Sequence, residues 1–455
     1  MTFSDTAEVS SHNKRAIIVG GGPAGTLMAL ALAQMNWNVS VYERRDSYSQ
    51  NDSTNRRSYN IVLFARGLKA LQHVGVTLPM EEIVFLKGNV RHTTKGAKKT
   101  PGFSEAVSVN RNILARHLFQ EGITRFPEQI KYYFGHRLEA IDFQQKLATF
   151  HREENQVSQE FDLLVGADGV FSTVREIMVK QFEGFNCHQN LDEMTFKICQ
   201  LGNATELGNA TEDWGKCFHT WPSTQPVTIL APPNPNGSLT GILILPQKGE
   251  ITFEKIKTEK DVEALFSAKF PDVFSGKPIP QEFAQDLLEQ KVSFGGITTT
   301  CSALNAGDSV VLVGDAAHSV WASLGQGCNV ALESCRILAE ILAAHNGNLK
   351  TALPAYNLAR KPDTDAIGRM SEEGFGGNKR AGNTLFFAKT IALSVFHKLL
   401  PQIFAKPALF QINKPDVGYA EVEVQWKAQE RQLWGMGIGL VALVIALLIV
   451  WKARV

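Results

Sequence analysis

Three glycines near the start of the chain have the spacing of a nucleotide-binding turn. Gly20, Gly22 and Gly25 follow a short apolar segment and precede a run of helix-forming residues, with Pro23 and Ala24 completing the motif. In this context the first glycine permits a tight turn, the second lets a pyrophosphate approach the backbone, and the third allows close packing of the helix. The start of that helix offers free N–H groups and a positive dipole end to phosphates. The motif therefore predicts a dinucleotide site.

An acidic residue follows where such sites bind a ribose. Glu43 comes eighteen positions after Gly25, directly after an apolar segment over residues 39–42. In dinucleotide-binding folds a carboxylate at about this spacing accepts hydrogen bonds from ribose hydroxyl groups. Glycine turns alone are often only structural. The turn and the acid together favour nucleotide binding.

A second candidate element is the sequence GADG at residues 166–169. Its Asp168 follows an apolar segment, and Arg175 comes seven positions later. Two interpretations are open. The guanidinium group could orient the carboxylate in a charge-assisted pair, or the Asp168 side chain could cap the helix that follows the turn.

A third element comprises GDAAH at residues 314–318 and a glycine loop shortly after it. The loop consists of Gly325, Gln326, Gly327, Cys328 and Asn329. Asp315, at the expected end of a strand, can bind a polyol hydroxyl group, while the loop brings backbone N–H groups and a helix N-terminus towards an anionic ring. His318 is a candidate general base, and the alternative is a packed residue at the end of a short helix.

Strands and helices alternate around these motifs. Apolar strands are expected over residues 14–19, 39–42, 161–165 and 309–313, and helices over residues 26–35 and 327–344. This order predicts an α/β fold with a Rossmann-like dinucleotide-binding domain. Between about residues 187 and 300 the sequence changes to alternating strands separated by turns, which predicts an inserted, mostly antiparallel β-sheet domain.

The predicted domain boundaries follow from this change in the predicted secondary structure. The discontinuous dinucleotide-binding domain comprises residues 1–186 and 301–370, and the sheet domain that would contact substrate comprises residues 187–300. C-terminal helices are expected over residues 371–432, followed by a transmembrane helix over residues 433–451. The repeated sequence LGNATE at residues 201–212 is expected to be a surface loop insertion.

The C-terminal sequence predicts a membrane anchor. Residues 433–451 contain no charged residue, and a helix of this length spans roughly 28 Å, close to the thickness of the hydrocarbon core. The alternative is a buried core helix, which normally keeps a polar stripe. Residues 1–13 lack the apolar segment of a secretory signal. We therefore expect a single-pass C-terminal anchor that leaves the catalytic part in the cytosol.

Composition narrows the classes of partner. The chain has 46 basic and 45 acidic residues, a formal charge of +1, so it lacks the positive field expected of a nucleic-acid-binding protein. Its six cysteines include no CxxC pair. We therefore expect neither a structural metal site nor a disulfide framework, but thiols in a reducing compartment.

Taken in order, the three motifs resemble those of the FAD-dependent aromatic hydroxylases, the single-component flavoprotein monooxygenases. The resemblance extends over nearly the whole chain and includes the sequences RSYNIVL at residues 57–63, SVNR at 108–111 and FHTWP at 218–222. It implies that FAD and NADPH are cofactors and that O₂ supplies an oxygen atom to an aromatic substrate. No nucleophilic side chain is required.

The resemblance also implies roles for individual residues. Glu43 and Arg111 would hold the adenosine and pyrophosphate part of FAD, Asp315 its ribityl chain, and Asp168 a segment that contacts FAD and NADPH. Two further cofactor-binding candidates are Arg44 and Arg57.

The substrate candidates come from the same resemblance. Family members that act on an amino acid hold it with an arginine and a tyrosine, and Arg91 and Phe103 stand in the corresponding region. Trp221 and Trp321 are the other candidates. Ala322 stands where the family usually has a proline before the glycine loop. Because the chemistry implied by the resemblance is centred on the flavin, a catalytic side chain is not assigned.

Three functions remain open. The first is hydroxylation of a charged aromatic substrate. The second is hydroxylation or epoxidation of a lipophilic isoprenoid or polyketide, which the anchor and the apolar residues 321–324 favour. The third is a flavoprotein NADPH oxidase without oxygen transfer, which Ala322 favours. Detection of an oxygenated product separates the first two functions from the third.

Overall fold

The computed structural model describes residues 14–48, 59–93, 96–101, 105–207, 211–222, 227–274, 276–373 and 380–435. Its central sheet has six strands, numbered along the chain. In spatial order they are β20 (Asn305–Ala306), β21 (Val310–Leu312), β12 (Leu163–Gly166), β1 (Arg15–Val19), β2 (Asn38–Glu43) and β8 (Ile130–Phe134). All pairs are parallel except β20 with β21. The inner strands β1, β12 and β21 are largely apolar and buried, because parallel sheets are covered on both faces.

Helices cover this sheet and carry the predicted motifs at their N-termini. They are α1 (Pro23–Gln34), α2 (Ala65–His73), α3 (Arg111–Arg125), α4 (Thr173–Gln181), α7 (Asp315–His318), α8 (Gly327–Ala344) and α9 (Leu349–Glu373). Pro23 occupies the first turn of α1, where its missing N–H group costs nothing. Helix α1 packs between α3 and α8. The α/β fold with a Rossmann-like arrangement is confirmed.

A second sheet has seven strands. In spatial order they are β18 (Ser293–Phe294), β14 (Met194–Asn203), β17 (Ser238–Pro246), β16 (Thr228–Ala231), β15 (Cys217–Pro222), β5 (Gly88–Thr93) and β6 (Gly96–Pro101). Its pairs are antiparallel except β15 with β5. Helices α5 (Glu259–Lys269) and α6 (Gln281–Glu289) contribute to the apolar core on one face.

Two strands of this sheet come from an unexpected part of the chain. Strands β5 and β6 lie within residues 88–101, which the predicted boundaries assign to the dinucleotide-binding domain. The LGNATE insertion also differs from its prediction. Leu201 and Ala204 are buried in the core of the seven-stranded sheet, so the first copy is not a surface loop, and residues 208–210 of the second copy lie outside the described residues.

Three small sheets complete the β structure. They comprise β3 (Asn60–Leu63), β7 (Val107–Asn110) and β4 (Ile83–Phe85); β11 (Asn155–Glu160), β10 (Leu147–Arg152) and β9 (Arg137–Asp142); and β13 (Cys187–Leu191) with β19 (Ile297–Cys301). Strand β13 leads from the central sheet into the seven-stranded sheet, and β19 leads back. These two antiparallel strands are therefore the connectors between the two large sheets.

The C-terminal region consists of α10 (Arg380–Leu399) and a helix over residues 419–435. Tyr419 and Val422 of that helix pack with Ala366 and Ile367 of α9 in a third core. Within the described part of the chain, no helix has the length and apolar character needed to cross a membrane. From residue 436 onwards the predicted anchor lies outside the described residues.

Candidate cofactor and substrate site

The glycine turn after β1 contains two structural glycines and one that faces open space. A Cβ at Gly20, whose φ is +105°, would lie 2.4 Å from the Ala167 carbonyl oxygen, and one at Gly25 would lie 1.9 Å from the Gly20 carbonyl oxygen. Gly22 is extended, with φ −72° and ψ 179°, and no atom lies within 4 Å of its Cβ position. The turn thus leaves a cradle at the start of α1 that a side chain would fill.

Glu43 closes one side of this turn. Its carboxylate accepts hydrogen bonds from the N–H groups of Gly21, at 2.7 Å, and Arg45, at 2.9 Å, and from Arg45 Nε at 3.0 Å. Burial opposes the carboxylate charge, but Arg45 and the backbone donors lower the Glu43 pKa overall. The exposed Arg44 follows Glu43, and Arg45 is the charge partner. Sequence reasoning missed Arg45, although its place two residues after the acid was a usable signal.

The three motifs converge on one point. A Cβ at Gly314 would lie 3.1 Å from the Ala24 Cβ of α1 and 3.4 Å from the Ala331 Cβ of α8. Arg111, at the start of α3, is close enough to Asp315 and Cys328 for these groups and Tyr59 to raise its pKa, although burial opposes the charge. The N-termini of four helices, α1, α3, α7 and α8, therefore face a common region.

Asp315 is the acidic group of this region. Burial raises its pKa, and the positive charge of Arg111 acts in the opposite direction. Among the described residues no hydrogen bond to its carboxylate is present, so its oxygens can accept bonds from a ligand. Burial raises the pKa of the neighbouring Cys328 thiol to about 12, which keeps it neutral. The set combines one cation, one acceptor and the open cradle at Gly22.

Asp168 caps α4, which was one of the two interpretations left open. Its carboxylate accepts hydrogen bonds from Ser172 Oγ at 2.5 Å and from the N–H groups of Thr173 at 2.7 Å and Val174 at 3.2 Å. Burial raises the pKa of Asp168, and these donors oppose that rise. The cap fixes the turn against which Gly20 packs.

Arg175 joins the second motif to the third. Its guanidinium donates to the carbonyl oxygens of Val170 and Ala316, each at 2.7 Å. The interpretation that Arg175 orients the Asp168 carboxylate is therefore wrong, because the donors of this buried side chain are used on backbone carbonyl groups. The consequence is a fixed distance between the GADG turn and α7, which carries Asp315.

The side chains of the glycine loop point away from the shared region. Gln326 is fully buried, donates from Nε2 to Asn413 Oδ1 at 2.8 Å and accepts a hydrogen bond from the Tyr419 hydroxyl at 2.9 Å. Asn329 Oδ1 accepts a hydrogen bond from the backbone N–H group of Phe64, the residue that follows β3. Both side chains position the loop, and only backbone groups of Gly325, Gln326 and Gly327 are left to meet a ligand.

His318 is a packed residue. It is 2% exposed, its Nε2 lies 2.9 Å from Ser334 Oγ, and burial together with the nearby charge of Arg360 lowers its pKa to about 3. The structural alternative for this histidine is therefore confirmed. A neutral imidazole at this depth cannot exchange protons with a substrate on the other side of α7.

The buried histidine predicts a stability loss in mild acid. The unfolded chain binds a proton at His318 below about pH 6.5, whereas the folded chain does not until about pH 3. The free energy of unfolding should therefore fall as the pH decreases from 6.5, by about 2 kcal/mol at pH 5. Urea unfolding of the FAD-loaded protein at pH 7 and pH 5 measures this. His318→Gln should remove the part of the stability loss that His318 causes. The control His151→Gln, at an exposed site, should lose as much stability as the original protein. Equal losses in all three proteins would contradict the assignment of the loss to His318.

Strand register identifies the face of the seven-stranded sheet that looks towards the shared region. Residues paired across neighbouring strands share a face, and the row across this sheet comprises Lys98, Arg91, Thr220, Leu230, Ile242 and Ile198. Phe196, two positions from Ile198, lies on the same face, and its ring centroid is 6.2 Å from that of Tyr59. Tyr59 is hydrogen-bonded to Arg111. Arg91 is thus an exposed cation on the face that borders the site.

Trp221 lies on the opposite face, which corrects the prediction that it contacts substrate. It follows Thr220 directly, and successive side chains of a strand point to opposite sides. Its indole is 2% exposed, stacks on His92 at 4.0 Å and donates to Asp272 Oδ1 at 3.1 Å. It is part of the apolar core to which α5 and α6 contribute.

Trp321 packs against the connectors. Its Nε1–H group donates to the Asn190 carbonyl oxygen at 3.3 Å, and its backbone N–H group donates to Ser371 Oγ at 3.2 Å. Ala322 begins a single 3-10 turn over Ala322–Leu324. The candidates Arg57 and Phe103 lie outside the described residues.

The fold and the site together define a flavin-dependent oxidoreductase. A family model described as a FAD binding domain matches residues 14–369. The chain belongs to this family of FAD-dependent aromatic hydroxylases, and FAD and NADPH are its cofactors. The donor set fits FAD, because the cradle at Gly22 can take a pyrophosphate at a helix N-terminus and Asp315 can accept hydroxyl groups.

Curated relatives share most of the chain. The chain is 30% identical to kynurenine 3-monooxygenase of Salinispora tropica, with 95% of each protein covered, and 31% identical to that of Christiangramia forsetii, with 90% of each covered. Among solved structures, 2-methyl-3-hydroxypyridine-5-carboxylic acid oxygenase is similar with a TM-score of 0.65 and 21% identity over 82% of this chain and 93% of that one. Tetracycline destructase Tet(51) is similar with a TM-score of 0.56 and 17% identity over 86% and 96%. These structures support the fold.

Proposed function

We propose that the protein hydroxylates an aromatic amino acid, with L-kynurenine as the first candidate. The observation that carries this proposal is the position of Arg91, an exposed cation that lies beside Lys98 towards one end of the sheet face that borders the FAD site. A guanidinium group binds a carboxylate with two parallel hydrogen bonds. The relatives named as kynurenine 3-monooxygenases support the choice of substrate.

For the cofactor, we propose that the glycine turn and two charged residues hold FAD. The N-terminus of α1 at Gly22 takes the pyrophosphate, Arg111 stabilises its negative charge, and Asp315 accepts hydrogen bonds from the ribityl hydroxyl groups. When bound, FAD accepts electrons from NADPH and activates O₂. The chain contributes orientation, and Glu43 and Asp168 contribute indirectly by fixing the turns at either side.

For the substrate, we propose that the sheet face holds the aromatic ring. Phe196, Ile242 and Leu230 are half-buried and apolar, so a ring placed against them is removed from water. Arg91 lies beyond Thr220 on the same face and would orient the molecule through its carboxylate. Holding the two reacting partners in one geometry replaces a bimolecular encounter with a unimolecular step.

Two variants on opposite faces of one sheet test the substrate proposal. Arg91→Met should raise the KM for L-kynurenine by roughly 10- to 100-fold, since a hydrogen bond to a charged group contributes about 1.5–3 kcal/mol. Trp221→Phe, the matched control, should leave that KM unchanged because its side chain is on the far face. Both are measured by mass spectrometry of hydroxylated product. An unchanged KM in Arg91→Met would contradict the assignment.

A lipophilic substrate is the second candidate. On this face Phe196, Ile198, Ile242 and Leu230 offer apolar contacts, and the charged residues of the row, Arg91 and Lys98, lie on the other side of Thr220. An isoprenoid or polyketide bound there would not need Arg91. A lipophilic substrate is favoured if the Arg91→Met variant oxidises NADPH at the normal rate and neither it nor the original protein forms product from L-kynurenine.

A flavoprotein NADPH oxidase is the third candidate, and Ala322→Pro tests it. Trp321 has φ −64° and ψ 150°, which suits the residue before a proline, and Ala322 starts its turn, where a missing N–H group is tolerated. We expect stability within about 1 kcal/mol of the original protein and more product formed per NADPH oxidised. The ratio of product to NADPH is the measurement. Absence of product from both proteins would favour the oxidase.

We further propose that residues 433–451 anchor the protein in a membrane with the catalytic part in the cytosol. Exposed apolar side chains near the end of the last described helix support this, since Ile403 is 62% and Trp434 is 61% exposed. The Ile403 carbonyl oxygen accepts a hydrogen bond from Gln432, close to the start of the predicted anchor. Carbonate extraction of membranes, with a chain ending at residue 432 as the control, tests the anchor. Release of the full chain by carbonate would contradict it.

A further inference from the structure

Two cysteines face each other on the connectors between the two large sheets. Cys187 begins β13 and Cys301 ends β19, and the two residues are directly paired in the antiparallel register. Both thiols are free. They lie 114 positions apart in the chain, at the start and the end of the longer of the two segments that enter the seven-stranded sheet, so a bond between them would join both connectors.

The backbone geometry suits a disulfide. The Ser302 N–H group donates to the Asn186 carbonyl oxygen at 2.8 Å, so Asn186 and Ser302 form a hydrogen-bonded pair and the next pair, Cys187 with Cys301, is of the non-hydrogen-bonded kind. Cα atoms in such pairs are about 4.5 Å apart, within the range of roughly 4.4–6.8 Å that disulfides span. No backbone movement is needed.

The two sulfur atoms differ in environment. Cys187 is half-buried, and the neighbouring Cys301 thiol and the nearby charge of Arg175 lower its pKa, against the effect of burial. Cys301 is 2% exposed, its pKa is raised by Cys187 and by burial, and its sulfur lies 3.4 Å from the Ala317 carbonyl oxygen. Oxidation begins at the more accessible, more readily ionised thiol. Cys187 is therefore the attacking residue and Cys301 the resolving one.

We propose that Cys187 and Cys301 form a reversible disulfide when the protein meets hydrogen peroxide. The Cys187 thiolate attacks one peroxide oxygen, the O–O bond breaks, and a sulfenic acid and one water molecule form after proton uptake. Cys301 sulfur then attacks the Cys187 sulfur, releasing the second water molecule. Overall, two thiols lose two electrons and two protons, and one peroxide molecule becomes two water molecules.

The disulfide would lie next to helix α7, which begins with a residue of the proposed FAD site. Cys301 contacts α7 through Ala317, and Arg175 binds the preceding carbonyl group, that of Ala316. Helix α7 begins with Asp315, the proposed ligand of the ribityl chain. The disulfide would hold both connectors against this helix, so it restrains movement between the seven-stranded sheet and the FAD domain. The inference itself depends only on the thiol geometry and not on the identity of the substrate.

Thiol counting on the FAD-loaded, full-length protein in mild detergent tests the proposal. After treatment with hydrogen peroxide, removal of the peroxide and unfolding in urea to expose the buried cysteines, two of the six thiols should resist alkylation, and peptide mass spectrometry should find Cys187 joined to Cys301. Dithiothreitol should restore both thiols. The oxidised protein should also unfold at a higher urea concentration than the reduced protein, because the bond closes a long loop.

Three variants separate the outcomes. Cys187→Ser should abolish both the bond and the urea shift, Cys301→Ser should leave a sulfenic acid at Cys187 that dimedone traps, and Cys199→Ser, at a buried cysteine in the other core, should behave like the original protein. Six alkylatable thiols after peroxide, or oxidation of Cys187 to sulfinic acid without a disulfide in the original protein, would overturn the proposal.

Discussion

Replacement of Gly22 by alanine is expected to abolish retention of FAD while the protein still folds. Gly22 has an extended backbone that any residue adopts, and its Cβ position has no atom within 4 Å. The added methyl group therefore meets nothing in the protein, but it enters the space where the pyrophosphate approaches the start of α1. Loss of one or two hydrogen bonds to a charged phosphate, about 1.5–3 kcal/mol each, weakens binding by roughly 100-fold.

The ratio of flavin absorbance to protein absorbance after purification measures this loss, with titration of FAD into the apoprotein as a second measurement. Gly368→Ala is the control, since this helical glycine also has no atom within 4 Å of its Cβ position. It should keep its FAD. Gly25→Ala should instead impair folding, because its Cβ would lie 1.9 Å from the Gly20 carbonyl oxygen. A Gly22→Ala protein that purifies with full FAD would contradict the placement of the pyrophosphate.

The second large effect is expected at Glu333, which pairs with two fully buried arginines. Glu333 Oε1 lies 2.8 Å from Arg66 Nη1 and Oε2 lies 2.9 Å from Arg360 Nη2, with all three side chains at most 2% exposed. Tyr419 adds its ring, 3.9 Å from the Arg66 guanidinium carbon. Glu333→Gln keeps the shape and removes the charge, so Arg66 stays buried without a counter-ion and Arg360 keeps only Asp363, at 3.4 Å. The expected cost is about 3–5 kcal/mol of unfolding free energy.

Urea unfolding of the FAD-loaded protein measures this cost. Glu160→Gln is the matched control, because Glu160 pairs with Arg15 at 2.6 Å on the surface, where the side chains are 63% and 45% exposed. An exposed pair contributes at most about 1 kcal/mol. If the two variants lost similar amounts of stability, the interpretation of the buried network would be wrong.

The motifs of the FAD site could be predicted because their chemistry is local. The spacing of Gly20, Gly22 and Gly25, the acid at the end of the next strand, and an apolar run before Asp315 each depend on a few neighbouring residues. Parallel strands then bring their carboxyl ends to one edge of a sheet. Local patterns therefore predicted the central fold together with the positions of these residues.

The substrate face could not be predicted in the same way. Whether Thr220 or Trp221 faces the FAD domain depends on which side of the sheet that domain covers, and a shift by one residue reverses every side chain. The parallel pairing of β5 with β15 joins distant parts of the chain, so no local pattern indicates it. A large aromatic residue in a family motif suggested a contact with substrate, but Trp221 packs in the core.

The side-chain partners that position the glycine loop could not be predicted for a related reason. Gln326 and Asn329 are polar residues in a cofactor-binding motif, yet their side chains bind Asn413, Tyr419 and the backbone near Phe64. Buried polar side chains need such partners, and the partners here come from the C-terminal region and from α2's N-terminal side. Long-range partners of this kind become visible only in three dimensions.

Anaerobic reduction of the bound flavin by NADPH tests the central claim most directly. The full-length protein in mild detergent is mixed with NADPH, with and without L-kynurenine, and the loss of flavin absorbance is followed. We expect L-kynurenine to accelerate reduction and, once air is admitted, to be converted to 3-hydroxykynurenine. The claim that this site acts on an aromatic amino acid would be contradicted if the flavin-loaded protein were reduced at the same rate with and without L-kynurenine and formed no hydroxylated product.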